Sequence, residues 1–205
     1  MKATKFLVLS FLLFAITATS FPEAVHAEDH AAVLDILNHE VLAGATYRMM
    51  TDSPDNYTTT VEVTATNITN DSAGLPIICH SDVILSDVGL PIIFSPEDSD
   101  TVIREDTYLY LNFNATTCAE EGVTTMWKIG FPRIPPVVTT GGVDSVNRFK
   151  ITKSEANNNY QLSFCPRTEP LCNCSCVPIG YLGYLGKYYL APTDTPAPFV
   201  FEKHG

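Results

Sequence analysis

Six cysteines, one acidic run and a few scattered histidines are the side chains of this 205-residue chain that could do chemistry. Cys79, Cys118, Cys165, Cys172, Cys174 and Cys176 are even in number, and six thiols can pair in fifteen ways. Crowding of the last four suggests a locally stapled loop together with one long-range bridge from Cys79 to Cys118. By loop entropy the long bridge would contribute roughly 4 kcal/mol, and a bridge closing residues 165 to 176 roughly 3 kcal/mol. The competing chemistry for Cys172-x-Cys174-x-Cys176 is a thiolate metal site, but zinc pairs favour the longer C-x2-C spacing and no histidine lies nearby in sequence. The acidic run Glu97-Asp98-Ser99-Asp100 follows Pro96 and reads as a solvated loop in preference to a cation site. His30, His39, His80 and His204 stand far apart, and neither G-x-S-x-G nor H-E-x-x-H occurs. Enzyme chemistry is therefore not expected, nor is a cofactor or a metal.

The start of the chain sets the compartment. Lys2 and Lys5 precede an apolar run from Phe6 to Ala18, broken only by Ser10 and Thr17, that is too short to span a bilayer and has the layout of an export signal. Val25 and Ala27 supply the small residues a signal peptidase needs, so residues 1–27 are expected to be removed, with a cut after Ser20 as the alternative. The remaining domain, 28–205, has 178 residues with 10 basic against 22 acidic side chains, a formal charge of −12. That balance opposes nucleic acid and anionic membrane surfaces, which are bound through clustered Lys and Arg. Export to an oxidising compartment makes disulfides the default. It also makes the Asn-x-Ser/Thr sites at Asn56, Asn67, Asn70, Asn114 and Asn173 glycosylation acceptors, each of which otherwise reads as a turn Asn. The destination is the extracellular space, or a vacuole. A chain of this size can bury roughly 70% of its unfolded surface, enough for a self-sufficient core.

Short β-strands must position these groups. Thr60-Val61-Glu62-Val63-Thr64-Ala65-Thr66 alternates with period two, as a half-buried strand does. Thr46–Met50, Leu75–His80, Asp82–Ser86, Pro91–Phe94, Thr107–Phe113, Met126–Ile129, Phe149–Ile151, Tyr160–Phe164 and Phe199–Phe201 have similar strand propensity. About twelve such runs, with Pro and Gly spread between them and no amphipathic helix, predict an all-β barrel or sandwich, and their spacing suggests three units of about 55 to 60 residues. Trp127 belongs to the core, and Tyr181, Tyr184, Tyr188 and Tyr189 are expected to pack on the barrel.

The opening Val33-x-Asp35-x-x-Asn38-x-x-x-Leu42-x-Gly44-x-x-Tyr47-x-Met49 resembles the N-terminal signature of the soybean-type Kunitz inhibitors of plants. In order there follow Leu75-Pro76-x-x-Cys79, Gly89-Leu90-Pro91-x-x-Phe94-Ser95-Pro96, Trp127, Phe149-x-Ile151, Tyr160-x-Leu162-x-Phe164-Cys165-Pro166 and Cys176-x-x-Ile179-Gly180. The resemblance implies a β-trefoil of about twelve strands with pseudo-threefold symmetry, six closing a barrel and six capping it, and a monomer is expected. It implies pairing of Cys79 with Cys118 and of Cys165 with Cys176. Miraculin-like members carry an additional inner pair at wider spacing, so Cys172-x-Cys174 is a departure; a bridge across it would be strained.

Inhibitors of this kind present a rigid, extended loop that a protease binds as it would a substrate, with little conformational entropy left to lose. No catalytic residue is required, and one side chain, P1, enters the enzyme's S1 pocket. By resemblance the loop is Pro96, Glu97, Asp98, Ser99 and Asp100, with Asp98 as the nominal P1. A trypsin-type pocket has a carboxylate at its floor and needs Lys or Arg, so Asp98 would meet like charge. A shifted P1 at Arg104 is the alternative. Strong trypsin inhibitors of the family also brace the loop with an Asn where this chain has Ala43, so a looser loop is expected. The resemblance thus predicts a secreted, plant-defence protease inhibitor acting on a serine protease, with cysteine and aspartic proteases as further targets and weak or absent action on trypsin. The second reading is a non-inhibitory trefoil serving defence, storage or ligand binding.

Overall fold

The computed structural model describes residues 30–55, 59–118, 123–130, 135–143, 146–154, 159–167 and 175–205. The expected signal segment, Asn56, Cys172, Asn173 and Cys174 lie outside them. Among the described residues there is no helix, and there are fifteen strands where about twelve were expected. They are β1 (Thr46–Asp52), β2 (Thr60–Ala65), β3 (Ile68–Asn70), β4 (Pro76–Ile78), β5 (Val83–Ser86), β6 (Ile92–Pro96), β7 (Leu109–Phe113) and β8 (Thr116–Thr117). After these come β9 (Trp127–Gly130), β10 (Val137–Thr140), β11 (Asn147–Lys153), β12 (Tyr160–Pro166), β13 (Val177–Tyr184), β14 (Lys187–Pro192) and β15 (Val200–Lys203).

Ten of them form one sheet in the order β15-β1-β2-β5-β14-β13-β12-β11-β7-β6, and β1 also pairs with β6. That last pairing, Thr46 opposite Ile93 and Tyr47 opposite Ile92, returns the sheet to its start and closes a barrel. Closure removes the open sheet edges that would otherwise pair with another chain. Two small sheets, β3-β4-β8 and β9-β10, stand outside the ring.

Period-two patterning drives the interior. In β7, Leu109, Leu111 and Phe113 face inward and are buried, while Tyr110 and Asn112 are half-buried. Aromatic rings join the elements across the core. Phe94 packs edge-on against Phe201 at 5.1 Å between centroids, and Phe201 stacks on Tyr160 at 5.7 Å. A second series runs Phe113, Trp127, Phe149, Phe164 at 5.2, 6.4 and 5.3 Å. Tilted and edge-to-face pairs at these separations contribute about 0.5–1.5 kcal/mol each beyond area burial.

The described chain entering β1 forms no strand of its own and is held by single bridges instead, Ala32 to Arg104, Leu34 to Glu40 and Leu42 to Val102. Buried Asp35 accepts the amides of Leu37 and His39 at 2.9 and 2.8 Å, closing a turn in which Asn38 takes a positive φ of 62°. A short Asx side chain suits both tasks, which explains the Asp35-x-x-Asn38 spacing. His80, expected in a strand, lies in the bend after β4. Tyr181 packs edge-on against Phe199, whereas Tyr184, expected on the barrel, is 62% exposed near the tip of the β13–β14 hairpin.

Candidate inhibitory loop

Residues 97–99 leave the end of β6 as an exposed bend followed by half-buried Asp100, and the elements on both sides fix their position. On the β6 side, Pro96 pairs with Leu109, and the Glu97 amide donates to Tyr108 O at 2.9 Å. On the far side, residues 101–105 are sewn to the N-terminal segment. Ala43 N donates to Thr101 O at 2.9 Å, Ile103 N to Val41 O at 2.8 Å, Val33 N to Ile103 O at 2.8 Å and Glu105 N to Ala31 O at 2.8 Å. Ile103 is fully buried and anchors this segment in the core. Gly44, at φ 74°, turns the chain so that its amide reaches Phe94 O at 3.0 Å beneath the loop. A side chain at Gly44 would be strained by that φ alone.

Between these two seams the loop is braced by its own acids. Asp98 Oδ1 accepts the Asp100 amide at 3.1 Å, and Asp100 Oδ1 accepts the Val102 amide at 3.1 Å. Asp100 Oδ2 accepts from Arg104 Nε at 2.6 Å, and Arg104 also donates through Nη1 to His30 O at 3.0 Å. The Arg104 guanidinium, with the Val102 amide, holds the Asp100 carboxyl below its ordinary value of 3.8. Glu97 is gripped from two other strands. Arg148 of β11 reaches Oε2 at 3.2 Å, and Arg167, just after β12, reaches Oε1 at 3.3 Å. Tyr108 lies under both Arg148 and Lys150, at 4.0 and 4.6 Å from its ring centroid.

Of the sequence-predicted residues, Pro96 is the half-buried last residue of β6, Glu97, Asp98 and Ser99 are exposed in the bend that follows, and Asp100 is half-buried beyond it. Two expectations change. Arg104 is a brace across the loop's base, two-thirds shielded from solvent, and not a presented specificity residue. The looseness expected from Ala43 is offset, because its backbone amide still ties Thr101 and side-chain bonds from Asp98, Asp100 and Glu97 replace the missing Asn. The i,i+4 spacing of Asp100 and Arg104 could have signalled one brace in advance. Arg148 and Arg167 come from positions 51 and 70 residues away, and no local pattern announces them.

A disulfide joins Cys165 at the end of β12 to Cys176 just before β13, with Cα atoms 4.3 Å apart. Cys79 and Cys118 follow β4 and β8, whose parallel register places Ile78 opposite Thr117, so the two cysteines come next in the same ladder. The Cys118 amide donates to Ile78 O at 3.2 Å. Asn67, Asn70 and Asn114 are all exposed around this small sheet.

Residues 33–203 match the Kunitz_legume family, described as trypsin and protease inhibitor. The chain belongs to this family. Its members are protease inhibitors and not enzymes. Kunitz trypsin inhibitor 5 of Arabidopsis thaliana is 31% identical over 119 residues, 56% of this chain and 59% of that relative, so the aligned stretch spans under two thirds of it. Soybean trypsin inhibitor superposes with a TM-score of 0.64 at 22% identity, covering 85% of this chain and 100% of the other. The Kunitz-type cysteine protease inhibitor PCPI-3 from potato matches with a TM-score of 0.64 at 22% identity, covering 86% and 98%. Soybean inhibitor in complex with porcine pancreatic trypsin is a further match, with a TM-score of 0.64 at 22% identity over 85% and 100% of the two chains. These likenesses establish the fold: the closed ring with its outlying small sheets is a β-trefoil.

Proposed function

We propose that this Kunitz-family chain is an exported endopeptidase inhibitor, with a part in plant defence, that acts through residues 97–100 and has weak or absent action on trypsin. The observation that carries this reading is the double anchoring of the loop, by backbone seams on both sides and by three arginines from different segments. A loop held in this way loses little freedom on binding and stays in place if it is cut, which is what a substrate-like inhibitor requires. The negative apex supports the trypsin part, since a pocket floored by a carboxylate repels it. Titrating the purified 28–205 chain against serine, cysteine and aspartic endopeptidases tests the proposal. Stoichiometric loss of activity of at least one is expected; inhibition of none would favour a non-inhibitory storage, defence or ligand-binding trefoil, and a tight complex with trypsin would overturn the specificity.

Export, cleavage after Ala27, and glycans on some of Asn56, Asn67, Asn70, Asn114 and Asn173 belong to the same proposal, as does a second disulfide between Cys79 and Cys118. Neighbouring residues across a parallel ladder lie at about 5 Å, inside the Cα range a disulfide spans. Thiol counting on the denatured, unreduced protein is expected to find at most two free thiols, those of Cys172 and Cys174. Four or more would remove the Cys79–Cys118 bridge.

A further inference from the structure

The three acids of the loop are not equivalent. Glu97 is neutralised by Arg148 and Arg167, and Asp100 by Arg104. Asp98 sits between them at the exposed apex, and among the described residues no Lys or Arg pairs with it. Among the described residues its side chain has the Asp100 amide on Oδ1 as hydrogen-bond partner. Among the described residues, then, three arginines pair with two of the loop's carboxylates, and the third, on a fixed backbone, has no Lys or Arg partner. An open groove beside it, lined by His30, Glu97, Asp98, Asp106, Thr107 and Tyr108, adds no cation from Lys or Arg.

We infer that Asp98 is the specificity residue of the loop, and that the partner is a serine endopeptidase whose S1 pocket carries a fixed cation, an enzyme that cleaves after acidic residues. This rests on the inhibitory reading above. A pocket with a buried Arg or His and amide donors would supply the counter-charge that Glu97 and Asp100 receive from arginines and Asp98 does not receive from any described Lys or Arg. An apolar pocket would strand the carboxylate without a partner, and a carboxylate-floored pocket would repel it. The arginine pairs at Glu97 and Asp100 keep those neighbouring acids from competing for the same cation and hold the backbone on either side of Asp98 while its side chain enters the pocket. The Asx bond to the Asp100 amide is exchanged for donors of the pocket.

The 28–205 chain is to be tested against three serine endopeptidases with peptide substrates: one specific for P1 Asp or Glu, one chymotrypsin-type and trypsin. The acid-specific enzyme is expected to be inhibited at least about 100-fold more tightly than the other two, the scale set by pairing or stranding one desolvated charge. Asp98→Ala should lose that difference, and Asp98→Lys should move the preference to trypsin. Because Asp98 is exposed, both variants should keep the parent's circular dichroism and melting temperature, so a lost preference in a folded variant supports the assignment. Undiminished inhibition by Asp98→Ala would overturn it. So would tighter inhibition of the chymotrypsin-type enzyme by the parent, which would leave the inhibitory reading intact. If no endopeptidase is inhibited by the parent or by Asp98→Lys, the inhibitory reading itself fails.

Discussion

Asp100 and Arg104 set how the loop responds to pH. The carboxyl is held below 3.8 chiefly by the guanidinium, so its bracing is fully present above that value and is lost as pH falls through the depressed pKa. The loop is expected to resist proteolytic nicking from neutral pH down to about pH 4, then to become sensitive as the acid protonates. Arg104→Ala should make it sensitive severalfold sooner at pH 7, as followed by the rate of loop cleavage. Tyr181 provides an alkaline counterpart. Burial pushes its hydroxyl up to about 12, against the opposing hydrogen bond with Thr51. Its neutral form is the one the fold accommodates, so its contribution is intact below pH 10 and is lost between there and pH 12. Burial also raises the Tyr160 hydroxyl, so absorbance titration at the tyrosinate band should show both residues titrating late, and Tyr181→Phe should remove one of the two. At this scale the sequence reveals the loop's position and its acids, because both are contiguous. It conceals the roles of the acids, because Arg148 and Arg167 are delivered by the fold.

Among the elements, the strands with strict alternation were legible: β2, β7 and β12 fall within one or two residues of the runs that predict them. The β13–β14 hairpin was not, because Val177–Tyr184 carries Pro178, Gly180 and Gly183, residues that normally break a strand. Gly180 has a packing reason to be there. A methyl group at that position would lie 2.2 Å from the carbonyl oxygen of Thr195, which is backbone and cannot step aside. The hairpin's two-residue turn, Leu185-Gly186, has φ values of 49° and 73°, the conformation that Asn-Gly usually occupies. Leu185 is 82% exposed there, so its strain is not recovered by burial. Leu185→Asn should therefore stabilise the protein by about 1 kcal/mol, read as a higher urea midpoint with an unchanged slope. An unchanged or lower midpoint would mean that the leucine makes contacts that offset its strain. β3 and β8 escaped notice for a simpler reason: two or three exposed residues carry no periodic signal.

For the whole molecule, the closure of the barrel governs what can be cut away. Reading the chain as all-β needed only its turns and short apolar runs, but which strands meet was hidden, since β1 pairs not only with its neighbour β2 but with β6 and β15, far along the chain. Tyr47 lies opposite Lys203 and Met49 opposite Phe201, with Phe201 buried between Phe94 and Tyr160. A chain stopping at Phe199 loses β15 and that ring, and it is expected to lack a cooperative urea transition; removing only residues 204–205 should leave the transition in place. Because the first strand formed waits for the last, folding is a late event in synthesis. Non-local pairing of this kind is completed in milliseconds to seconds. Until β15 arrives, β1 offers its edge to any strand nearby, so a stalled or clipped chain exposes the surface by which such proteins aggregate. Time, as much as energy, separates the folded trefoil from its failure.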